Sequence, residues 1–364
     1  MLHGDTDTGS AVVEKMNVLN ELVSEKFYFQ DQYDIETIRE GAYKGIVDAL
    51  GDDYSTYRTK EETERYMLSK EGKLNGIGVY LSNPVSGPYV RISGLMANSP
   101  AEEAGLEIDD TIIEIDGESA WGMSTDAVAE KMSGETDTDV TLLIQKDATG
   151  EKKEYTITRK LIDIISVFHE EMEDEIGYIR ITRFTAETDD AFQEAYEELM
   201  SKEIKGLILD LRGNMGGNVN EACLIADMLL PKGRIAYTKS VGEEDITYES
   251  DANEITIPMA VLIDTDTASS GELLSAAIKH YKKGTLIGTT TYGKGIVQRI
   301  YELTDGSSVG LTISEYFGPG GETIHKIGVE PDIILKYDAD LYEEAGIDNQ
   351  VAKAKEVLRD SRQE

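Results

Sequence analysis

Ala260-Val261-Leu262-Ile263, then Thr265-Asp266-Thr267-Ala268-Ser269-Ser270-Gly271-Glu272, then Leu273-Leu274-Ser275-Ala276-Ala277-Ile278 reads as an apolar strand, a turn and a helix, with Ser269 at the helix N-terminus. A second apolar strand, Thr285-Leu286-Ile287-Gly288, leads to Thr291-Tyr292-Gly293-Lys294-Gly295, where a lysine stands between two glycines. Upstream, Lys205-Gly206-Leu207-Ile208-Leu209-Asp210-Leu211-Arg212 reads as a buried strand. It is followed by Gly213-Asn214-Met215-Gly216-Gly217-Asn218, which opens a helix with apolar Val219, Cys223, Ala226 and Leu230. Strand and helix alternate in this way from about Leu161 to Lys336, starting with Ile176-Gly177-Tyr178-Ile179-Arg180-Ile181 and a helix from Asp189 to Met200. This spacing predicts an α/β unit with a largely parallel sheet covered by helices. Open sheets of that kind put their ligands at strand ends, where these turns fall.

Taken alone, Ser269 is an ordinary N-cap and Lys294 a solvated charge. Their combination points to chemistry, since the flanking glycines remove bulk around the lysine and free its backbone. A serine hydroxyl is a weak nucleophile until a base takes its proton. The usual base is histidine, but the chain has four, and none of His3, His169, His280 and His325 falls in a site-like turn. A lysine base fits better. Its ordinary pKa of about 10.4 must then drop toward neutrality, which requires burial beside Ser269. Gln298 lies four residues beyond Lys294 and offers an amide to orient it. Backbone N–H groups of the glycine-rich turn converge on one spot. Gly216 N–H and Ser270 N–H are therefore the candidate oxyanion-hole donors.

The chain resembles the carboxy-terminal processing (tail-specific) serine peptidases from about Gly45 to Pro331. The resemblance rests on Leu50-Gly51-Asp52-Asp53-Tyr54-Ser55-Thr56-Tyr57, Gly76-Ile77-Gly78-Val79, Asn98-Ser99-Pro100-Ala101-Glu102-Glu103-Ala104-Gly105-Leu106 and Ile176 to Ile181. It also rests on Asp210-Leu211-Arg212-Gly213-Asn214-Met215-Gly216-Gly217 and Tyr292-Gly293-Lys294-Gly295-Ile296-Val297-Gln298. Each is weak alone; their order carries the match. The resemblance implies that Ser269 is nucleophile, Lys294 base and Gln298 the residue orienting it, with Gly216 and Ser270 supplying the oxyanion-hole amides. It also implies a crotonase-like (ClpP-like) core, closed by Val309 to Tyr316 and Gly328-Val329-Glu330-Pro331. The chain departs from the family pattern in three places. Ser270-Gly271 stands where Ala-Ser is usual, Gly213 and Met215 stand where Asn and Pro are common, and Ser133 precedes Gly134 where regulated members commonly carry Arg.

Between about Glu71 and Lys160, short strands are expected at Ile77 to Leu81, Tyr89 to Ile92, Thr111 to Ile115 and Val140 to Ile144. A short helix over Ser99 to Ala104, a capped one over Ser124 to Met132, and a tight turn at Asp116-Gly117 complete the layout of a PDZ domain. Such a domain adds a peptide's end as a strand and holds its carboxylate on loop amides. Leu74-Asn75-Gly76-Ile77-Gly78 is the candidate loop. Ile77 and Val79, facing Val128 and Met132, are the candidate pocket for the last side chain. The expected division is 1–70, an N-terminal helical region; 71–160, the PDZ domain; and 161–364, the protease core with a helical tail. Val13, Met16, Leu19, Leu22 and Val23 form one apolar stripe, and Ile38, Ala42, Ile46 and Leu50 another. The resemblance implies that these help build a homodimer.

At 364 residues the chain is too long for one ordinary core. Its net charge of −36 argues against affinity for nucleic acid or anionic lipid, since phosphate needs Lys and Arg clusters. The charge reads as solvation of Glu-rich helical faces such as Glu194, Glu197 and Glu198. The single Cys223 lies on an apolar helix face and reads as a buried hydrophobe. No span of 18 apolar residues occurs. Members of the resembled family are generally exported, which implies a signal or membrane anchor outside these residues and an extracytoplasmic or cell-surface place. The reading is a serine endopeptidase that acts on proteins or peptides with a free apolar C-terminus and needs no metal or organic cofactor. The competing readings are a catalytically silent PDZ scaffold and an acyl-CoA enzyme on a shared core.

Overall fold

The computed structural model describes residues 6–30, 34–83, 87–242, 244–251 and 253–362. Its central sheet has six strands in the order Val167–Met172, Ile176–Ile181, Gly206–Asp210, Met259–Ile263, Thr285–Gly288 and Ile333–Ile334. The first pair is antiparallel and every later pair is parallel. The two middle strands are buried at every position, because both faces are covered. Leu207, Leu209, Val261 and Ile263 face a core shared with the helices Thr188–Ser201, Val219–Leu229 and Ser270–His280. Ile208, Ala260 and Leu262 face the opposite way, onto Ala354 and Leu358 of the C-terminal helix Asn349–Asp360. The strand period of two thus sorts one continuous apolar run into two cores.

A second, wholly antiparallel sheet stands apart from it. Ser308–Phe317 runs through its middle and pairs with Ile296–Glu302, Gly233–Ser240 and Thr56–Arg58. Val309 to Tyr316, expected to close the core, thus lies in this antiparallel sheet and not in the parallel one. Its alternating burial suits an antiparallel strand in a hairpin with Ile296–Glu302, rather than a strand buried on both faces. Gly328-Val329-Glu330-Pro331 forms no strand; Pro331 has no N–H to give, and the sheet edge goes to Ile333–Ile334.

Residues 79–158 carry their own core, built on Ile92, Ile112, Val140, Leu142 and Val128. Their sheet runs Val79–Ser82, Arg91–Leu95, Thr111–Ile115, Asp139–Gln145, Lys152–Thr158, with Glu118–Ser119 paired to the third strand. The helices are Pro100–Glu103 and Thr125–Met132, the latter capped by Ser124 Oγ. Strands begin later than the sequence reading has them: Ile77-Gly78 and Tyr89-Val90 lie outside. Leu74-Asn75-Gly76 is not a loop. It belongs to Lys73–Gly76, which pairs with Lys160–Asp163 and brings the two ends of this unit together. The N-terminal region holds helices Thr6–Lys26, Ile35–Asp48 and Lys60–Lys70, but Thr56–Arg58 between them is a strand of the antiparallel sheet.

Candidate active site

Ser269 sits at the sharp passage from the Met259–Ile263 strand into the Ser270–His280 helix, with φ 55° and ψ −117°. Few non-glycine residues tolerate that conformation, and it is the type of strained turn that exposes a nucleophile. Ser269 and Glu272 form a capping box at the helix start, in which Ser269 N–H donates to Glu272 Oε2 at 2.9 Å. Ser269 Oγ also lies 3.1 Å from Tyr316 Oη. The Glu272 carboxylate, wholly buried, also accepts from Thr291 Oγ1 (2.6 Å), Gly293 N–H (2.6 Å) and Lys294 N–H (2.7 Å). One buried anion thereby ties the serine turn to the lysine turn. Charged acceptors make the stronger hydrogen bonds, and burial strengthens them further.

Lys294 is half-buried, its Nζ 5.0 Å from the centre of the Tyr54 ring. No hydrogen bond or ion pair joins that ammonium to another described residue, Ser269 included. Burial pushes the Lys294 pKa below its ordinary value; the charge of Asp52 opposes the change and that of Arg58 adds to it. Tyr54 itself is pushed up to about 12, by burial first and then by neighbouring Tyr292. Gln298 lies on the Ile296–Glu302 strand, and its Nε2 donates to Thr312 Oγ1 at 3.4 Å rather than to Lys294.

Gly216 comes directly against the serine, with φ +96°. A Cβ there would lie 2.7 Å from Ser269 Cβ and 3.0 Å from Ser270 N, so only glycine fits. Its N–H donates to Asn214 Oδ1 at 2.8 Å, while Asn214 Nδ2 donates to Ile181 O at 2.9 Å. Ser270, also buried, donates its hydroxyl to Gly217 O at 3.0 Å, and its N–H meets no acceptor among the described residues. One candidate oxyanion donor is therefore free and the other is engaged. Cys223 is buried, and burial pushes its thiol up to about 12, which suits a core residue.

Several residues of this centre carry no role in the sequence reading. Tyr54 and Asp52 come from the Gly51-to-Tyr57 signature, so the N-terminal region supplies one wall of the site. Tyr316 comes from the strand read as sheet closure, and Asn214 from a turn read for its glycines. His325 is nearer than its sequence context indicates: its ring stands edge-on to Tyr54, centroids 6.4 Å apart, and its Nδ1 is buried without a partner.

Ile77 (2% exposed) packs with Val128 (0%) and Met132 (4%) into the core of the residue 79–158 unit, with Val79 against them. Ile77 O and Gly78 O accept from Ala101 and Met96 N–H, while the N–H groups of Ile77 and Gly78 find no backbone acceptor among the described residues. Gly78 has φ +78°, and a Cβ there would lie 2.4 Å from Ser99 Cβ. Asn75 accepts from Thr136 Oγ1 at 3.0 Å. Ser133 closes the Thr125–Met132 helix, and buried Arg159 binds the Lys131 and Met132 carbonyls beside it.

An α/β sheet with a strained serine turn, together with a separate antiparallel unit, defines the class: a serine peptidase that carries a PDZ domain. Residues 175–335 match the model of peptidase family S41, and residues 91–146 match the PDZ domain. The chain is 32% identical over 330 residues to the carboxy-terminal processing protease CtpA of Bacillus subtilis, covering 90% of this chain and 69% of that protein. It is likewise 32% identical to the carboxyl-terminal-processing protease of Synechocystis, over 82% and 72% of the two chains. Among solved structures, the photosystem II D1 C-terminal processing protease superposes with TM-score 0.56 at 28% identity, covering 88% of this chain and 86% of that one. The chain belongs to the carboxy-terminal processing proteases of peptidase family S41, and it is a serine protease. No helix among the described residues is long and apolar enough to cross a membrane.

Proposed function

We propose that the protein is an endopeptidase in which Ser269 attacks the scissile carbonyl, Lys294 takes the serine proton, and Gln298 orients the lysine. The observation that carries this reading is Glu272, whose carboxylate holds both the serine and the lysine backbone. Proton transfer to a neutral Lys294 frees Oγ to bond the carbonyl carbon. The oxygen that becomes negative is accepted by Ser270 N–H and by Gly216 N–H once Asn214 Oδ1 releases it. Lys294 then returns the proton to the departing amine, and a water repeats the sequence on the acyl-enzyme. As it stands, the site needs two changes to act: approach of Lys294 Nζ to Ser269 Oγ, and release of Gly216 N–H.

In this reading residues 71–160 form the tail-binding PDZ unit and 161–364 a crotonase-like core, with 1–70 as a helical region. The idle N–H groups of Ile77 and Gly78 receive the substrate carboxylate. The last apolar side chain enters between Val79 and the helix bearing Val128 and Met132, which must open. Holding the tail while cutting elsewhere raises the effective concentration of the scissile bond. Val13, Leu19 and Leu22 are each more than half exposed on Thr6–Lys26, and a second copy of the chain would cover them. An extracytoplasmic place at the cell surface follows the family. The deciding experiment compares Ser269→Ala, Lys294→Ala and His325→Ala on a disordered substrate with a free or an amidated C-terminus, with cuts located by mass spectrometry. Loss in the first two and retention in the third supports the Ser/Lys pair. Loss in the third with retention in the second transfers the role of base to His325.

A further inference from the structure

We propose that Tyr316 is a positioning residue for the nucleophile, holding Ser269 Oγ in the direction from which its proton can pass to the base. This rests on the reading of Ser269 as nucleophile. Tyr316 is 1% exposed on the Ser308–Phe317 strand. Its Oη lies 3.1 Å from Ser269 Oγ and 3.0 Å from Lys294 O, and its N–H donates to Gly295 O at 3.0 Å. It is the one side-chain hydrogen-bond partner of the Ser269 hydroxyl among the described residues; the capping box at the helix start brings only the Glu272 backbone N–H to that oxygen. Glu272 fixes the two backbones, while Tyr316 gives the nucleophilic atom its side-chain hydrogen bond.

The proton count distinguishes two arrangements. A phenol has one proton and the Lys294 carbonyl can only accept. When the phenolic proton lies on Lys294 O, the serine O–H donates to Oη and points away from the base. When it lies on Ser269 Oγ, the serine proton is left free for Lys294 Nζ, and the Oγ direction is kept. Substrate binding favours the second arrangement if it draws Lys294 toward the serine. The phenol does not compete as a base: burial raises its pKa, and although the hydrogen bond to Ser269 lowers it, burial with the nearby Glu272, Cys223 and Tyr248 outweighs that bond. It stays a neutral hydroxyl throughout.

Tyr316→Phe keeps the ring in the core and removes the one atom at issue. The expected result is a fall in kcat of about 10- to 100-fold with KM nearly unchanged, since orientation and not binding is lost. Phosphonylation of Ser269 by a small fluorophosphonate should slow in parallel, while the pH midpoint of activity stays where the lysine sets it. Placing 3-fluorotyrosine at 316 restores the hydroxyl and should restore most of the rate, which separates orientation from a packing defect. Phosphonylation in Tyr316→Phe that is as fast as, or faster than, in the parent overturns the proposal, as does a loss that 3-fluorotyrosine leaves in place. Ser269→Ala run alongside distinguishes the failures. If it keeps activity, the nucleophile is misassigned; if it is dead while Tyr316→Phe turns over normally, only the role of Tyr316 falls.

Discussion

Lys146 in the PDZ unit and Lys294 in the peptidase core are both drawn out of bulk water, yet they end in opposite electrostatic states. Lys146 Nζ lies 2.8 Å from Asp110, itself 1% exposed at its side chain, and 2.7 Å from Glu107. Burial works against its charge, but the hydrogen bonds to Asp110 and Glu107 outweigh burial and raise its pKa. Lys294 has burial without a carboxylate partner, and its pKa falls. A paired lysine is a structural cation; an unpaired, desolvated one is available as a base. The pairing partners distinguish them, and for Lys146 both partners lie well away in sequence.

The largest expected effect tests whether Lys294 is free for chemistry. Lys294→Ala and Ser269→Ala should each lower kcat/KM by about 10⁴-fold or more, with the double variant little worse, since the two act as one unit. Lys146→Met should leave turnover on an unstructured peptide near that of the parent. Similar losses in both lysine variants would erase the contrast.

The next effect is a pH profile. The active form is the neutral amine, and burial lowers the pKa of Lys294, so activity should rise with pH through a midpoint below that of free lysine, about 10.4. A rising limb that disappears in His325→Ala would move the base to the histidine beside Tyr54. A midpoint at the ordinary lysine value would mean that the half-burial seen at rest does not persist in the working enzyme.

The two regions also differ in how much their sequence reveals. Strands such as Gly206–Asp210 and Met259–Ile263 are apolar without a break, and the turns after them are marked by glycine or serine, so order and position are legible locally. Ser269, Lys294 and Gly216 stand out in that pattern because each lies in the turn that follows such a strand. Tyr316 and Asn214 are not, since their role depends on hydrogen bonds to residues far along the chain. Lys294 reaches Tyr54 only because Thr56–Arg58 pairs with Ser308–Gly310, a register that no local pattern specifies. In the PDZ unit, glycine-rich Leu74 to Gly78 marks Ile77 and Gly78, which do lie outside the strands. It misses the ladder of Lys73–Gly76, because the partner strand lies beyond the whole inserted unit.

A smaller effect is expected in stability at the paired site. Lys146→Met removes the cation from Asp110, which keeps only the Glu107 N–H at 2.9 Å. Stranding a buried carboxylate should cost about 1–3 kcal/mol, read as a lower denaturation midpoint in urea. The folded pKa of Lys146 is raised, so its contribution is complete below the unfolded value of about 10.4 and fades only as pH rises through the folded one. The deficit should therefore be constant from pH 6 to 9. A deficit near zero across that whole range would show that Lys146 is no better paired than a surface lysine.

The smallest effect has the opposite sign and comes from Lys294. Its folded pKa lies below the unfolded one, so between the two values the unfolded chain binds more protons and stability rises with pH. Below the folded value the full cost of keeping a charged amine away from water is present, while above about pH 10.4 both states are neutral and that cost is gone. Lys294→Met fills the same space without a charge, and it should raise the urea midpoint at pH 6 while abolishing turnover. The size of the gain should shrink steadily toward alkaline pH, because the parent relieves its own penalty by losing the proton. Met contributes a packing difference that does not titrate, so the slope with pH, and not the gain at any one pH, isolates the charge. A gain that stays level across the range would assign it to packing alone, and Lys294 would then carry no more electrostatic cost at rest than an exposed lysine.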